Sequence, residues 1–432
     1  MPNKERETRK SARRSFLKWS GISFLSMLAL NKGKVIAADV KNRGLRPLFC
    51  NTIYVFLAMF FVGCVTTTKT SRYDELRGTI DGDNCVWAFH SYEPSSWEME
   101  WRRGEESGER RDQECEVLAQ PEEVKRSVQL ITAIYNVVTL GKSAPPPESI
   151  DLFSRMIYAR RCGEKREDTG QRRVQLIEPL VGILRDPLTI CPQPVGVDKQ
   201  IYNLFGPGEN AGQSKRHFLL GPLAPWTDTP NDPKSWRVGG FDPWGASAVS
   251  RQQPCVRLNV LMDIGASLYD GWGGNTASVS ALWVVERFKQ RQLAFDWIVS
   301  FEIEKHDPDD VYRNVPDDVL PHYLYFNQGV EKSPNGRWNP WRILQGMSVT
   351  PDDYVVVKLD IDVPEIENPL INQLMEAEDI RPLVDEVFFE HHVNVKAMWM
   401  CWGTSTSSLT MKDSYRLFAD LRSVGVRMHS WP

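Results

Sequence analysis

YVVVKLDID, residues 354–362, decides how this chain folds. A short continuous run of valines and leucine between polar flanks is how a parallel strand buried on both faces reads. The run stops on Asp360 and Asp362, with Pro364 just beyond. Open α/β sheets bind ligands at the C-terminal ends of such strands, so these carboxylates stand where the chemistry of that fold class is expected.

The same pattern recurs on both sides. VRLNVLMDI (256–264), FDWIVSFEI (295–303), YLYFNQGV (323–330) and DEVFFEHH (385–392) read as further strands, and the chain closes on a strand-like VRMHSW. Helical spacing fills 275–291, 366–378 and 411–424 between them. Alternation of this kind predicts one α/β domain over 256–432, with a mostly parallel sheet covered on both faces.

Residues 71–255 read as a mixed helical and loop region. The charged patch at 98–114 precedes a predicted helix over 121–140, where Val124, Val128, Ile131, Ile134 and Tyr135 fall at helical spacing, and a second helical pattern runs over 148–161. Residues 187–254 are rich in Pro, Gly and Trp and read as long ordered loop packed over the following domain.

The first 70 residues form a segment of their own. PLFCNTIYVFLAMFFVGCV (47–65) is an uncharged run of 19 residues. As a helix it would be roughly 28 Å long against a hydrocarbon core of about 30 Å, enough to span. Residues 1–46 carry twelve Lys/Arg against three acids, which predicts a cytoplasmic N-terminus, a single pass, and a lumenal or extracellular C-terminal domain. The paired arginines of ARRSFLKWSGISFLSMLAL (12–30) resemble a twin-arginine export signal, and its use would reverse that topology.

Composition narrows the function classes. The net charge is −4, and Lys/Arg are not interleaved with aromatics in a stripe, which argues against a nucleic-acid partner. Eight cysteines are scattered singly with no C-x-x-C pair, so neither a zinc site nor a redox compartment follows from them. Nothing in the sequence sets an oligomeric state.

The strand ends carry the candidate chemistry. Asp263 and Gly265 close the first strand, where a glycine lets backbone approach a ligand or simply makes a turn with positive φ. Glu302 and Glu304 close the second, where an acid can accept hydrogen bonds from ribose hydroxyls or stand solvated. On the fifth, Glu390 and His392 share a face while His391 turns away to pack against a helix. His429, Trp399, Trp402 and Trp431 read as packing residues.

Taken in order, D-I-G-A (263–266), S-F-E (300–302), F-N-Q-G-V-E (326–331), V-K-L-D-I-D (357–362) and F-F-E-H-H (388–392) resemble the successive strand ends of FkbM-type S-adenosylmethionine-dependent methyltransferases. The resemblance covers about residues 256–393. It implies a Rossmann-like class I methyltransferase domain with S-adenosylmethionine as cofactor. It further implies that Asp263, Gly265, Glu302 (the ribose acid) and Asn327 (near the adenine) bind the cofactor. Lys358 and Asp360 match the family's K-x-D, Glu390 and His392 its E-x-H, and Asp362 stands where the family usually has Glu. Ser267 and Ile303 replace its usual Asn and Pro.

Methyl transfer to an oxygen or nitrogen needs the acceptor held in line and a group to take its proton. Asp360, Asp362 and His392 are the candidates, with a small molecule or glycan as acceptor. Two carboxylates about 6 Å apart repel by roughly 3 kcal/mol at an effective dielectric near 20, so a lysine, a histidine or a divalent metal is expected beside them. A rival reading makes Asp360 and Asp362 the D-x-D of a lumenal glycosyltransferase that holds Mn²⁺ against a sugar nucleotide. A third makes the chain a membrane-anchored descendant without catalysis.

Overall fold

The computed structural model describes residues 85–106, 121–138, 145–163, 165–182, 219–221, 224–232, 234–238, 258–271, 280–290, 293–395 and 408–431. All lie within the compact unit Thr70–Pro432. The predicted anchor at 47–65 and the twin-arginine-like segment fall outside the described residues. Among the described residues no helix is long and apolar enough to cross a membrane.

The α/β domain contains β5 (Asn259–Ile264), α3 (Ala281–Lys289), β6 (Trp297–Phe301), α4 (Pro308–Arg313), β7 (Tyr323–Phe326), α5 (Pro340–Gly346), β8 (Tyr354–Leu359), α6 (Pro364–Glu376), β9 (Glu386–Phe389), α7 (Met411–Ser423) and β10 (Arg427–Ser430). Its six strands lie in the order β10-β9-β8-β5-β6-β7 and every neighbouring pair is parallel. Counted within the domain, that is 6-5-4-1-2-3, the doubly wound arrangement whose order reverses between its first and fourth strands. Each predicted strand is present, trimmed at its ends.

Burial on both faces explains why β8 reads so clearly. Val355, Val357 and Leu359 pack with Leu370 of α6 and Phe418 of α7, while Tyr354 and Val356 pack with Val284 and Phe288 of α3. Each such valine contributes on the order of 1.5–3 kcal/mol. The ends of the helices are set locally. A capping box of Thr410 and Asp413 starts α7, and Asn339 caps α5 by accepting the backbone N–H groups of Trp341 and Arg342.

The upstream region is more regular than its sequence suggests. β1 (Cys85–Glu93), β2 (Ser154–Cys162), β3 (Glu167–Ile177) and β4 (Trp226–Thr227) form an antiparallel sheet in that order, accompanied by α1 (Ser96–Glu106) and α2 (Pro121–Val138). A disulfide joins Cys85 to Cys162, which face each other across β1 and β2. The helix predicted over 148–161 is replaced by a 3-10 turn, Pro147–Leu152, and strand β2. Ile157 packs into the main core while Met156 and Tyr158 pack on the opposite face, which is the two-residue alternation of a strand. In α2 the buried stripe runs through Val124, Leu130, Ile131, Ile134 and Val137, and Tyr135 turns outward.

This antiparallel sheet closes the far edge of the parallel one. Arg422 donates to the outward carbonyl of Met428 on edge strand β10 and to the carbonyl of Glu178, just beyond β3. Arg427 reaches Gln175 and the Gly221 carbonyl, so the described part of the 187–254 stretch does pack over the α/β domain. Between the sheets the His429 ring sits with Nδ1 2.5 Å from Glu178 and Nε2 2.7 Å from Glu386. Glu98 is sealed within the unit and accepts from Tyr92, Ser154, Tyr415 and the Leu180 N–H.

Candidate active site at the strand reversal

The reversal between β5 and β8 brings the loops after both strands against each other. Gly265, at φ +85°, is the closest point: a Cβ there would lie 1.7 Å from the carbonyl oxygen of Asp360. Backbone N–H groups of Gly265 and Ala266 both donate to Phe301 O, and Asp360 N donates to Ile264 O, which fixes the tips of β5, β6 and β8. Ser267 and Asp362 take positive φ without being glycine, 51° and 56°, a conformation that costs energy and clusters at functional sites.

Lys358 is the buried centre of the crevice. Its Nζ donates to Gly265 O at 2.6 Å and lies 3.3 Å from Asp263 Oδ1 and 3.7 Å from Asp360 Oδ2. Asp263 is only 1% exposed. Neither of its oxygens accepts a well-directed hydrogen bond among the described residues, so the contact with Lys358 is an ion pair off the hydrogen-bond axis. Burial pushes its pKa up against the pull of Lys358. Asp263 therefore shapes the crevice through Lys358 and Gly265 from beneath.

Glu302 lies at the tip of β6, half-buried. One of its oxygens accepts the Ser267 N–H and the other the Glu304 N–H, each at 2.8 Å, which leaves further lone pairs on both. The next residue, Ile303, is 75% exposed and presents an apolar surface beside that carboxylate. Asn327 is committed to the same loop: it accepts from His306 N and donates to the carbonyls of Glu302 and Glu304. Asn327 therefore holds the loop that carries Glu302.

The predicted acceptor-side residues form a second group beside Lys358. His392 Nε2 lies 2.9 Å from Glu390 Oε2 and 3.4 Å from Asp362 Oδ1. Burial and the nearby Asp360 charge raise the Glu390 pKa to about 7. Burial works against a charged His392, yet Glu390 and its acidic neighbours hold its pKa above the usual imidazole range. Asp362 is raised by burial and by Asp360. The side chains of the two aspartates of the D-x-D diverge: Asp360 turns to Lys358 and Trp431 while Asp362 turns to His392. His391 packs away, stacked on Phe389 and hydrogen-bonded to Ser414.

A match to the chain was found neither among protein-family models, nor among curated proteins, nor among solved structures.

Sequence reasoning missed two contributors. Trp431, following β10, donates its indole N–H to Asp360 Oδ2 at 3.0 Å. Its position just past a terminal strand was the available signal. Glu367, in the first turn of α6, accepts the Ile361 N–H on Oε1, is fully buried, and is raised to about 8 chiefly by that burial. The motif P-E-I-E gave no hint that its second acid turns inward.

Proposed function

We propose that the α/β domain binds S-adenosylmethionine at the β5–β8 reversal and transfers its methyl group to an oxygen or nitrogen of a small-molecule or glycan acceptor. The observation that carries this reading is Glu302 standing beside exposed Ile303 at the tip of β6, next to the Gly265 crossing. Glu302 keeps lone pairs for two ribose hydroxyls, and Ile303 offers an apolar wall for a base. These residues fit the cofactor. Asp263 acts indirectly, by fixing Lys358 and through it the Gly265 loop.

When bound, the cofactor supplies a sulfonium-activated methyl group, whose carbon–sulfur bond breaks with its electron pair left on sulfur. The chain's own part is to hold the acceptor in line and take the proton it loses as the new carbon–oxygen or carbon–nitrogen bond forms. Asp360 is placed for that proton by Trp431 and Lys358, and Asp362, Glu390 and His392 make the polar wall around the acceptor. The divergent directions of Asp360 and Asp362 weigh against the glycosyltransferase reading. A single membrane pass at 47–65 with this unit lumenal or extracellular belongs to the same proposal, and the Cys85–Cys162 disulfide supports an oxidising compartment.

Calorimetric titration of the full-length chain with S-adenosylhomocysteine tests the reading. Binding is expected, and Glu302→Gln, which keeps one acceptor for the loop, should weaken it at least tenfold with the circular dichroism unchanged. Absence of binding, or equal affinity in the variant, overturns the ribose contact.

A further inference from the structure

Four acids and two bases meet in the corner beyond Asp360. Asp360, Asp362, Glu367 and Glu390 gather there with Lys358 and His392, and all of these side chains except Asp362 are largely buried. Three of these residues offer one ligand atom each, all within 4.8 Å of one another: Asp362 Oδ1, Glu390 Oε2 and His392 Nε2. The two closest separations, 2.9 and 3.4 Å, match the roughly 3 Å between adjacent ligands of an ion bound at about 2.1 Å.

A separate observation points to the same corner. Glu367 Oε2 is sealed from solvent and has no hydrogen-bond partner among the described residues, whereas Oε1 accepts the Ile361 N–H. The charged groups around it are His392, Asp360 and Glu390. A buried carboxylate oxygen without a protein partner among such groups is a place for a water, an ion or an ordered ligand to bind. Because Oε1 ties Glu367 to the loop that carries Asp360 and Asp362, that loop and this oxygen are held in one place.

We infer that Asp362, Glu390 and His392 bind a divalent cation of the Mn²⁺ class, with Glu367 as the buried carboxylate that completes its surroundings. One imidazole with carboxylates suits a first-row divalent ion that accepts both nitrogen and oxygen better than the all-oxygen ions Ca²⁺ and Mg²⁺, and Mn²⁺ is the first-row ion that takes carboxylates most readily. The Asp362 side chain is 73% exposed, so the outer side of the ion stays open to an oxygen of an incoming molecule. In the methyl-transfer reading that molecule is the acceptor, and its class is a hydroxyl compound able to ligate the ion; this last clause rests on that reading, whereas the ion site does not.

The test uses the full-length chain, stripped with chelator and titrated with Mn²⁺ while free Mn²⁺ is followed by electron paramagnetic resonance. About one Mn²⁺ per chain is expected, with Glu390→Gln and Asp362→Asn each weakening binding at least tenfold. Asp362 is at the surface, so that variant should fold even where Glu390→Gln does not. Asp228→Asn, on the antiparallel sheet, should bind as the wild type does. Wild-type affinity no better than that of Asp362→Asn overturns the site. S-adenosylhomocysteine binding measured on the same samples separates the two ideas: Mn²⁺ bound without it leaves the ion site standing and removes the methyl-transfer reading.

Discussion

Replacing Lys358 by methionine removes the buried cation while keeping the length and most of the volume of the side chain. Lys358 Nζ lies 3.3 Å from Asp263 and 3.7 Å from Asp360. At an effective dielectric near 20 these attractions amount to about 5 and 4.5 kcal/mol, partly offset by the cost of desolvating the charges. Removing one partner of such a buried pair leaves the other uncompensated, and a net loss of about 3–5 kcal/mol is expected at neutral pH.

The pH dependence gives the prediction its sign. Burial already raises the Asp263 pKa, and Lys358 is the main group restraining it. An acid with a folded pKa above its unfolded value of about 3.9 binds more protons when folded, so its contribution to stability falls as pH rises between the two values. Loss of Lys358 lifts the folded value further and widens that window. The penalty of Lys358→Met should therefore be smaller near pH 4, where Asp263 no longer contributes and only Asp360 loses its partner, than at pH 7.5. Urea unfolding at both pH values measures it, and Lys358→Met with Asp263→Asn should recover at least half of the loss. A penalty under about 1 kcal/mol, or one equal at both pH values, refutes the reasoning.

Two further predictions concern the antiparallel sheet, one at its join with the parallel sheet and one within it. Burial disfavours a charged His429, but Glu178 and Glu386 hold its pKa above the usual range; burial likewise opposes a charged Glu178, yet His429 and Arg422 hold that carboxylate down at about 2. The His429 contribution is thus complete below about pH 6.5 and lost as pH rises through its raised folded pKa, while that of Glu178 is lost as pH falls from about 4.5 toward 2. In calorimetric melts across pH, His429→Gln should flatten the alkaline decline; an unchanged alkaline limb counts against the arrangement. The Cys85–Cys162 disulfide joins residues 77 apart in sequence and should contribute about 4.5 kcal/mol by constraining the unfolded chain. Alkylation of both thiols in native, unreduced protein, seen by mass spectrometry, would show that the bond does not form.

How much the sequence disclosed depended on how each segment is buried. Strands such as β8, dry on both sides, leave an unbroken apolar run, and their succession along the chain was readable together with α3, α6 and α7, while the short helices α4 and α5 were not. β2 was not, because Arg155, Arg160 and Arg161 interrupt its alternation and the pairing shifts register near Ala159. In the crevice, the two-residue spacing of Glu390 and His392 placed them together correctly. Trp431 and Glu367 could not be placed that way, since one arrives from a distant strand end and the other from a helix start, and only the tertiary fold brings them to Asp360 and Ile361. Asn327, which the resemblance places near the adenine, also bonds the loop after β6, a role the sequence did not disclose.

The way α7 and β10 meet the antiparallel sheet also constrains when this protein can become itself. Tyr415 bonds Glu98 across 317 residues of chain, and Arg422 bonds Tyr92 across 330. During synthesis the β1–β3 layer emerges long before the segment that seals it, and contacts of such span are slow to form. Residue 415 must leave the ribosome before β1 and α1 find these neighbours, so a nascent chain halted short of it carries Glu98 without one of its four donors.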